Sequence, residues 1–204
     1  MPSEYTAGFL WLAASILWWS GWREESAKGI PHAAVAVFLA GWPFAAWLEW
    51  PLGRLGALNG AFVWTLLAAA ALLWRMRETK RWMALSAGLL VSSLAMGRTA
   101  AAAGNAFFPE WMSGGWGPAA AGAAVFLLVG GADGQIAAVT LSLAVPELLA
   151  AAWHPAGISG SAGSSGWMDG WWTAVFAARC LSIAYAAVRS VSFRFAWRKG
   201  GERT

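Results

Sequence analysis

The stretch at residues 57–77, ALNGAFVWTLLAAAALLWRMR, decides the fold, because its long apolar run ends at Trp74 and is followed at once by two arginines. A membrane-spanning helix needs about 20 predominantly apolar residues. Indole rings concentrate where hydrocarbon meets water, and a charged side chain enters hydrocarbon only at a high energetic cost. The stretch therefore predicts a transmembrane helix over residues 57–74.

The same arrangement of apolar runs with tryptophan at their ends recurs along the chain, which has 17 tryptophans among 204 residues. We expect these to mark helix ends at the membrane interface: Trp18, Trp19, Trp22, Trp50, Trp74, Trp82, Trp153, Trp171 and Trp172. Hydrophobic residues form 59% of the chain and charged residues 12%, which is about half the charged share of a soluble domain. The composition predicts an all-α, polytopic transmembrane helix bundle in which residues 1–204 form a single domain.

Seven apolar segments are candidate spans, and they lie at residues 5–22, 33–50, 57–74, 82–97, 118–130, 136–153 and 168–188. The first is expected to remain in the protein, because residues 1–9 carry no Lys or Arg and no small-residue cleavage site follows. Pro43 should kink the second span. The segment at 118–130 is short and precedes the turn-forming residues 130–134, so the alternative is six spans plus a re-entrant segment.

The charge distribution favours seven spans. Basic residues cluster in the loop with Arg23 and Lys28, in the loop at residues 75–81, and in a tail at residues 189–204. Cytoplasmic flanks collect Lys and Arg, and all three clusters lie on one side only if residues 118–130 also cross. The chain is thus predicted to be a plasma-membrane protein with its amino terminus outside and a basic cytoplasmic tail. The net charge of +4 is explained in this way and does not indicate nucleic acid as a partner.

Ionisable groups at membrane depth are the candidate site residues, because an unpaired charge there costs several kcal/mol. Glu147, beside Pro146 in the sixth span, and Arg179 in the seventh are predicted to form an ion pair, next to the Ser142 carbonyl that Pro146 leaves without its helical donor. Glu49 and Arg98 form a second candidate pair near the outer face. Either pair can be purely structural, and the first can alternatively be a substrate or proton site.

The sequence indicates no catalytic residues, metal site or cofactor. The two histidines lie far apart, and the single cysteine, Cys180, lies within an apolar run. Glu24-Glu25 and Gly157-Ile158-Ser159-Gly160 match fragments of intramembrane protease motifs, but the partner residues that the chemistry requires do not follow. An enzyme is therefore not expected.

The amino-terminal layout, with Phe9-Leu10-Trp11-Leu12 leading into Trp18-Trp19-Ser20-Gly21-Trp22, resembles the small YphA-type integral membrane proteins of bacilli. The resemblance covers about 25 residues together with overall size and helix count, and it carries no catalytic signature. It implies a bacterial plasma-membrane protein. The leading hypothesis is a non-enzymatic accessory or scaffold protein that binds lipid, a membrane-protein partner or a second copy of itself. The alternative is a small transporter or channel-like carrier that uses Glu147 and Arg179.

Overall fold

The computed structural model describes residues 5–22, 27–51, 57–102, 117–153 and 162–200, and for residues 98–102, 153 and 191–200 it describes the backbone alone. As predicted, this part of the chain is all-α, and its only other regular structure is one short hairpin. Its helices are α1 (Thr6–Trp19), α2 (His32–Ala46), α3 (Gly60–Arg75), α4 (Glu78–Ala102), α5 (Gly117–Leu128), α6 (Ala132–Trp153) and α7 (Ser165–Gly200), and its strands are β1 (Glu49–Pro51) and β2 (Ala57–Asn59).

The seven helices alternate in direction, which gives the bundle two distinct ends. At the hairpin end, β1 and β2 pair in antiparallel fashion, and Leu58 of β2 also bridges to Ala162, just before α7. At the opposite end, α3 passes directly into α4 through residues 75–81, which include Arg75, Arg77, Lys80 and Arg81. We call this the basic end. The Lys28 loop and the part of α7 that continues to Arg189 lie at the same end, as the charge argument requires.

The segment at residues 118–130 folds as α5 and runs from the hairpin end towards the basic end. Pro118 lies near Gly170 in the first turns of α7, and Gly122 packs against Ala174 one turn further along. After Val129, Gly131 adopts a φ of +95°, a conformation that glycine alone adopts readily, and the chain reverses into α6. The segment therefore does not turn back towards the end at which it starts.

The hairpin was not predicted. Because β1 begins at Glu49, α2 ends at Ala46, four residues before the expected boundary at residue 50. Asn59 organises this region, because its side chain accepts a hydrogen bond from the Ala61 amide (2.8 Å) and donates one to the Ala46 carbonyl (3.1 Å). The first bond caps the amino terminus of α3, and the second satisfies a carbonyl at the end of α2. One side chain thus joins two antiparallel helices.

The central helix is α6, which packs against α3, α4, α5 and α7. Its inward residues Ala137, Ala138, Val139 and Thr140 are completely buried. Helix α7 in turn packs against α1 and α5, and its Asp169 carboxylate accepts a hydrogen bond from the backbone amide of Ala7 (2.5 Å). The carboxylate therefore satisfies one of the free amides at the start of α1.

Two helical segments of the described chain, Ala132–Ala152 in α6 and Ser165–Ser190 in α7, are long and apolar enough to cross a membrane. Four other apolar helices, α1, α2, α3 and α5, have between 12 and 16 residues. The predicted all-α fold is confirmed, with seven helices in the described part of the chain. That all seven cross a bilayer stays a prediction.

The close approach of α5 and α7 leads to a stability prediction. A Cβ atom at Gly122 would collide with the backbone carbonyl of Ala174, which cannot move aside like the end of a flexible side chain. We expect Gly122→Ala to lower the free energy of unfolding by about 1–3 kcal/mol through overpacking. Thermal unfolding of the purified protein in detergent measures the effect.

The matched control is Gly8→Ala in α1, where an added Cβ meets nothing within 4 Å. This variant should be as stable as the parent protein, or more stable by up to about 1 kcal/mol, because alanine favours a helix over glycine. Equal melting temperatures for the two variants would contradict the close packing of α5 on α7.

Candidate functional site

A tryptophan from α1 satisfies the backbone carbonyl that Pro43 leaves free in α2. Pro43 has no backbone N–H, so the carbonyl of Leu39, four residues earlier, lacks its normal helical donor. The indole Nε1 of Trp11 donates a hydrogen bond to this carbonyl at 2.9 Å. A buried carbonyl without a donor costs about 1–3 kcal/mol, so this contact makes the proline tolerable.

A second tryptophan, from α3, contacts α2 near the same proline. The Nε1 of Trp64 donates to the Phe38 carbonyl at 3.2 Å. Its indole ring lies directly over Gly41, where an added Cβ would stand 2.7 Å from a ring carbon. Gly41 therefore provides the space that lets Trp64 reach the backbone of α2.

Helix α6 also has a tryptophan donor near its proline, although Pro146 frees the carbonyl of Ser142 and not that of Leu143. Pro146 lies inside this helix, and the Nε1 of Trp167, from α7, donates to the Leu143 carbonyl at 3.2 Å. The hydroxyl of the buried Ser142 donates to the carbonyl of Val139, within its own helix, at 2.8 Å. Ser142 thus contributes to the helix backbone and not to an ion pair.

Trp171 and Trp172 lie in the core, so the prediction that they mark a helix end at the interface is wrong. They are 2% and 3% exposed, respectively, and pack with Phe38 and Trp42 in an aromatic cluster whose ring centroids are 5.0–6.3 Å apart. The Nε1 of Trp171 donates to the Thr140 hydroxyl at 2.9 Å. In the sequence this pair lies at the start of an apolar run, where an interfacial pair would also lie. Whether the two residues belong to the core or to the interface depends on whether their side chains face the other helices.

An apolar cavity of about 420 Å³ lies between this aromatic cluster and the basic end. Helices α1, α2, α3 and α7 form its walls, with one residue from α6. Trp64, Trp171 and Trp172 line its inner part, and Arg75 and Arg179 line it towards the basic end. Its volume lies within the range of small-molecule pockets, and its other lining residues are apolar with the exception of Thr65 and Cys180.

Arg179 belongs to a polar cluster that joins α6 and α7. Its guanidinium donates to the side-chain oxygen of Gln135 at 2.9 Å, and Asp133 in the first turn of α6 is close enough to interact with it electrostatically. Gln135, which is 2% exposed, also donates to the Val129 carbonyl and to the Ser182 hydroxyl, both at 2.9 Å. Gln135 therefore links the α5–α6 turn to α7.

The structure does not bring Glu147 and Arg179 together. Between residues 135 and 147, α6 rises about 18 Å at 1.5 Å per residue, so Glu147 lies near the hairpin end while Arg179 contacts Gln135 near the basic end. The Glu147 carboxylate accepts a hydrogen bond from the backbone of Gly163 instead. The sequence argument correctly paired Arg179 of α7 with a residue of α6. It chose a partner at the wrong end of α6.

In the other candidate pair, the side chain of Arg98 lies outside the described residues. Its backbone belongs to α4. Glu49 is exposed on β1, in register with Asn59 of β2. It therefore lies on the hairpin and not at the end of a helix.

No family model matches this chain, and no curated protein or solved structure is significantly similar to it.

A double-mutant cycle tests the Trp11 contact. Trp11→Phe removes the indole donor and should lower the free energy of unfolding by about 1–3 kcal/mol, because the Leu39 carbonyl is then buried without a donor. Pro43→Ala restores a backbone N–H at position 43, so adding Trp11→Phe to it should cost less than it does in the parent protein. The exposed Trp74 supplies a control, since Trp74→Phe should have little effect. Strictly additive effects of Trp11→Phe and Pro43→Ala would contradict this assignment.

A second cycle separates the observed partner of Arg179 from the predicted one. Gln135→Leu and Arg179→Leu should be coupled by about 0.5–3 kcal/mol, as expected for groups in one hydrogen-bonded network. Glu147→Gln and Arg179→Leu should be additive, because the two sites lie far apart. Chemical or thermal unfolding in detergent measures both cycles. Strong coupling of Glu147 to Arg179 would restore the ion pair predicted from the sequence.

Proposed function

We propose that the chain is a multi-pass protein of the bacterial plasma membrane that acts by binding, as an accessory or scaffold protein, and not by catalysis. The observation that carries this proposal is the outer surface of the bundle, which is apolar along the helices. On α1, the outward residues between 49% and 78% exposed are Tyr5, Phe9, Leu12, Ile16 and Trp19.

Comparable apolar surface covers the other helices. The large exposed residues include Val37, Phe44, Leu67, Leu89, Leu94, Leu127, Leu148 and Leu181. A soluble monomer rarely exposes a contiguous apolar patch larger than a few hundred Å². A lipid environment accounts for such a surface on several helices at once.

The polar groups of the helices support the same proposal. Outward hydroxyls donate back to their own helix, as Ser86 does to Met83 and Ser93 does to Leu90. Larger polar side chains such as Gln135 and Thr140 are buried inside the bundle. Polar groups in a membrane must be satisfied within the protein, and both arrangements achieve this.

The shorter helices are compatible with this placement. Helix α1 has 14 residues and is about 21 Å long, compared with about 30 Å of hydrocarbon, and a bilayer adapts to a short helix by thinning locally. Helix α7 has 36 residues and is about 54 Å long, so its carboxyl-terminal part would extend beyond the bilayer at the basic end. The basic residues there favour the cytoplasmic side for this end.

The carrier hypothesis receives less support from the geometry. It relied on Glu147 and Arg179 forming one polar locus, whereas Arg179 contacts Gln135 near the start of α6 and Glu147 lies about 18 Å further along that helix. The contacts of Arg179 with Gln135, and of Glu147 with the backbone at Gly163, are those of groups that fix helices in place. We therefore favour the binding protein over the carrier.

Cysteine labelling in intact cells tests the membrane placement. In a Cys180→Ala background, Glu49→Cys at the hairpin end should react with a membrane-impermeant maleimide from outside. Lys80→Cys and Ser190→Cys, both exposed at the basic end, should react only after the cells are opened. Labelling of all three variants in intact cells would contradict the proposed crossing. The reverse pattern would invert the orientation while retaining the membrane placement.

A further inference from the structure

We propose that the cavity between α1, α2, α3 and α7 binds a membrane lipid with an anionic head group, with one acyl chain inside the cavity and the head group against Arg75. This inference rests on the proposed placement of the bundle in a membrane, and it adds a binding site and a ligand class.

The shape of the cavity suits a hydrocarbon chain. Its lining extends along α3 from Trp64 to Arg75 and along α7 from Trp171 to Ile183, which corresponds to about 16–18 Å at 1.5 Å per residue. One leaflet contributes half of the roughly 30 Å hydrocarbon thickness, or about 15 Å. A chain of one leaflet would therefore extend from the basic end to the aromatic cluster.

The cavity is open to the exterior of the bundle. Val37 on α2 and Leu67 on α3 both belong to its lining, and each is 59% exposed. A lipid could consequently enter from the side, without passing through water. Among the described residues that line the cavity, the exposed Cys180 and the buried Thr65 add little polar surface.

The charges at the cavity indicate the head group. Arg75 and Arg179 are the charged residues of the described lining, and both are cationic. Arg179 is engaged by Gln135 and lies in the field of Asp133, so we assign the head group to Arg75, which is exposed at the last turn of α3. Guanidinium groups bind phosphate through paired hydrogen bonds, which favours an anionic phospholipid over a zwitterionic one.

Two matched pairs of variants test the site. Arg75→Gln removes the proposed head-group cation, whereas Arg77→Gln removes an exposed arginine that does not line the cavity. Ala71→Phe fills the cavity from its rim, whereas Ala70→Phe places the same ring on another exposed position of α3. Because all four positions are exposed, these substitutions should leave the fold intact, and a melting curve checks this.

The experiment is native mass spectrometry of the full-length protein, delipidated in detergent and then incubated with phosphatidylglycerol or phosphatidylcholine of identical chains. The parent protein should retain phosphatidylglycerol about tenfold better, as expected for one charge-assisted contact. Arg75→Gln should remove this preference, and Ala71→Phe should prevent retention of either lipid. The two control variants should behave as the parent protein does, and free inorganic phosphate should not displace the lipid.

The outcomes are distinct. Equal retention of both lipids by the parent protein would overturn the head-group assignment. Identical behaviour of Ala71→Phe and Ala70→Phe would overturn the cavity as the site, and displacement by inorganic phosphate would show that an anion site without a chain is involved. Each of these results leaves the membrane placement intact, because that is decided separately by the cysteine labelling.

Discussion

The bundle depends on tryptophan indoles that donate hydrogen bonds to helix carbonyls beside prolines. A proline inside a helix removes one amide and turns the preceding carbonyls outward. In α2, Trp11 donates to the Leu39 carbonyl left free by Pro43. In α6, Pro146 frees the carbonyl of Ser142, and Trp167 donates to the neighbouring Leu143 carbonyl. Each donor comes from a different helix, so satisfying the backbone also fixes the position of one helix on another. Where water is excluded, the Leu39 carbonyl can be satisfied only by such a neighbour.

These hydrogen bonds between helices help to determine where the aromatic core and the cavity lie. Trp64 reaches the backbone of α2 across Gly41, and its ring then forms part of the cavity wall. Trp171 and Trp172 close the inner end, and Gln135 links α6, α7 and the α5–α6 turn on the side of the basic end. The same helix contacts that satisfy buried polar groups thus leave an apolar space between α1, α2, α3 and α7.

The fold class, the helix count and the clustering of basic segments at one end could be predicted, because apolar runs and their flanking charges are local features of the sequence. The role of individual tryptophans could not. Trp74 closes one apolar run and Trp172 lies near the start of another, yet Trp74 is exposed and Trp172 lies in the core, and only the packing of α7 on α2 distinguishes them. The partner of Arg179 was missed for a related reason. The sequence argument chose Glu147 because its side chain is charged. The observed partner, Gln135, is neutral and lies level with Arg179 along α6. A polar residue four positions after the turn at Gly131 was the available signal.

The hydrogen bond from the Ala7 amide to Asp169 joins residues 162 positions apart. If the helices enter the membrane in the order of their synthesis, the start of α1 lacks this acceptor until α7 arrives. Helix α1 is therefore completed by a helix that is synthesised much later. A truncated chain that ends before residue 169 would leave α1 with an exposed amide and without the helix on which it packs, so α1 reaches its final position only after α7 has been made.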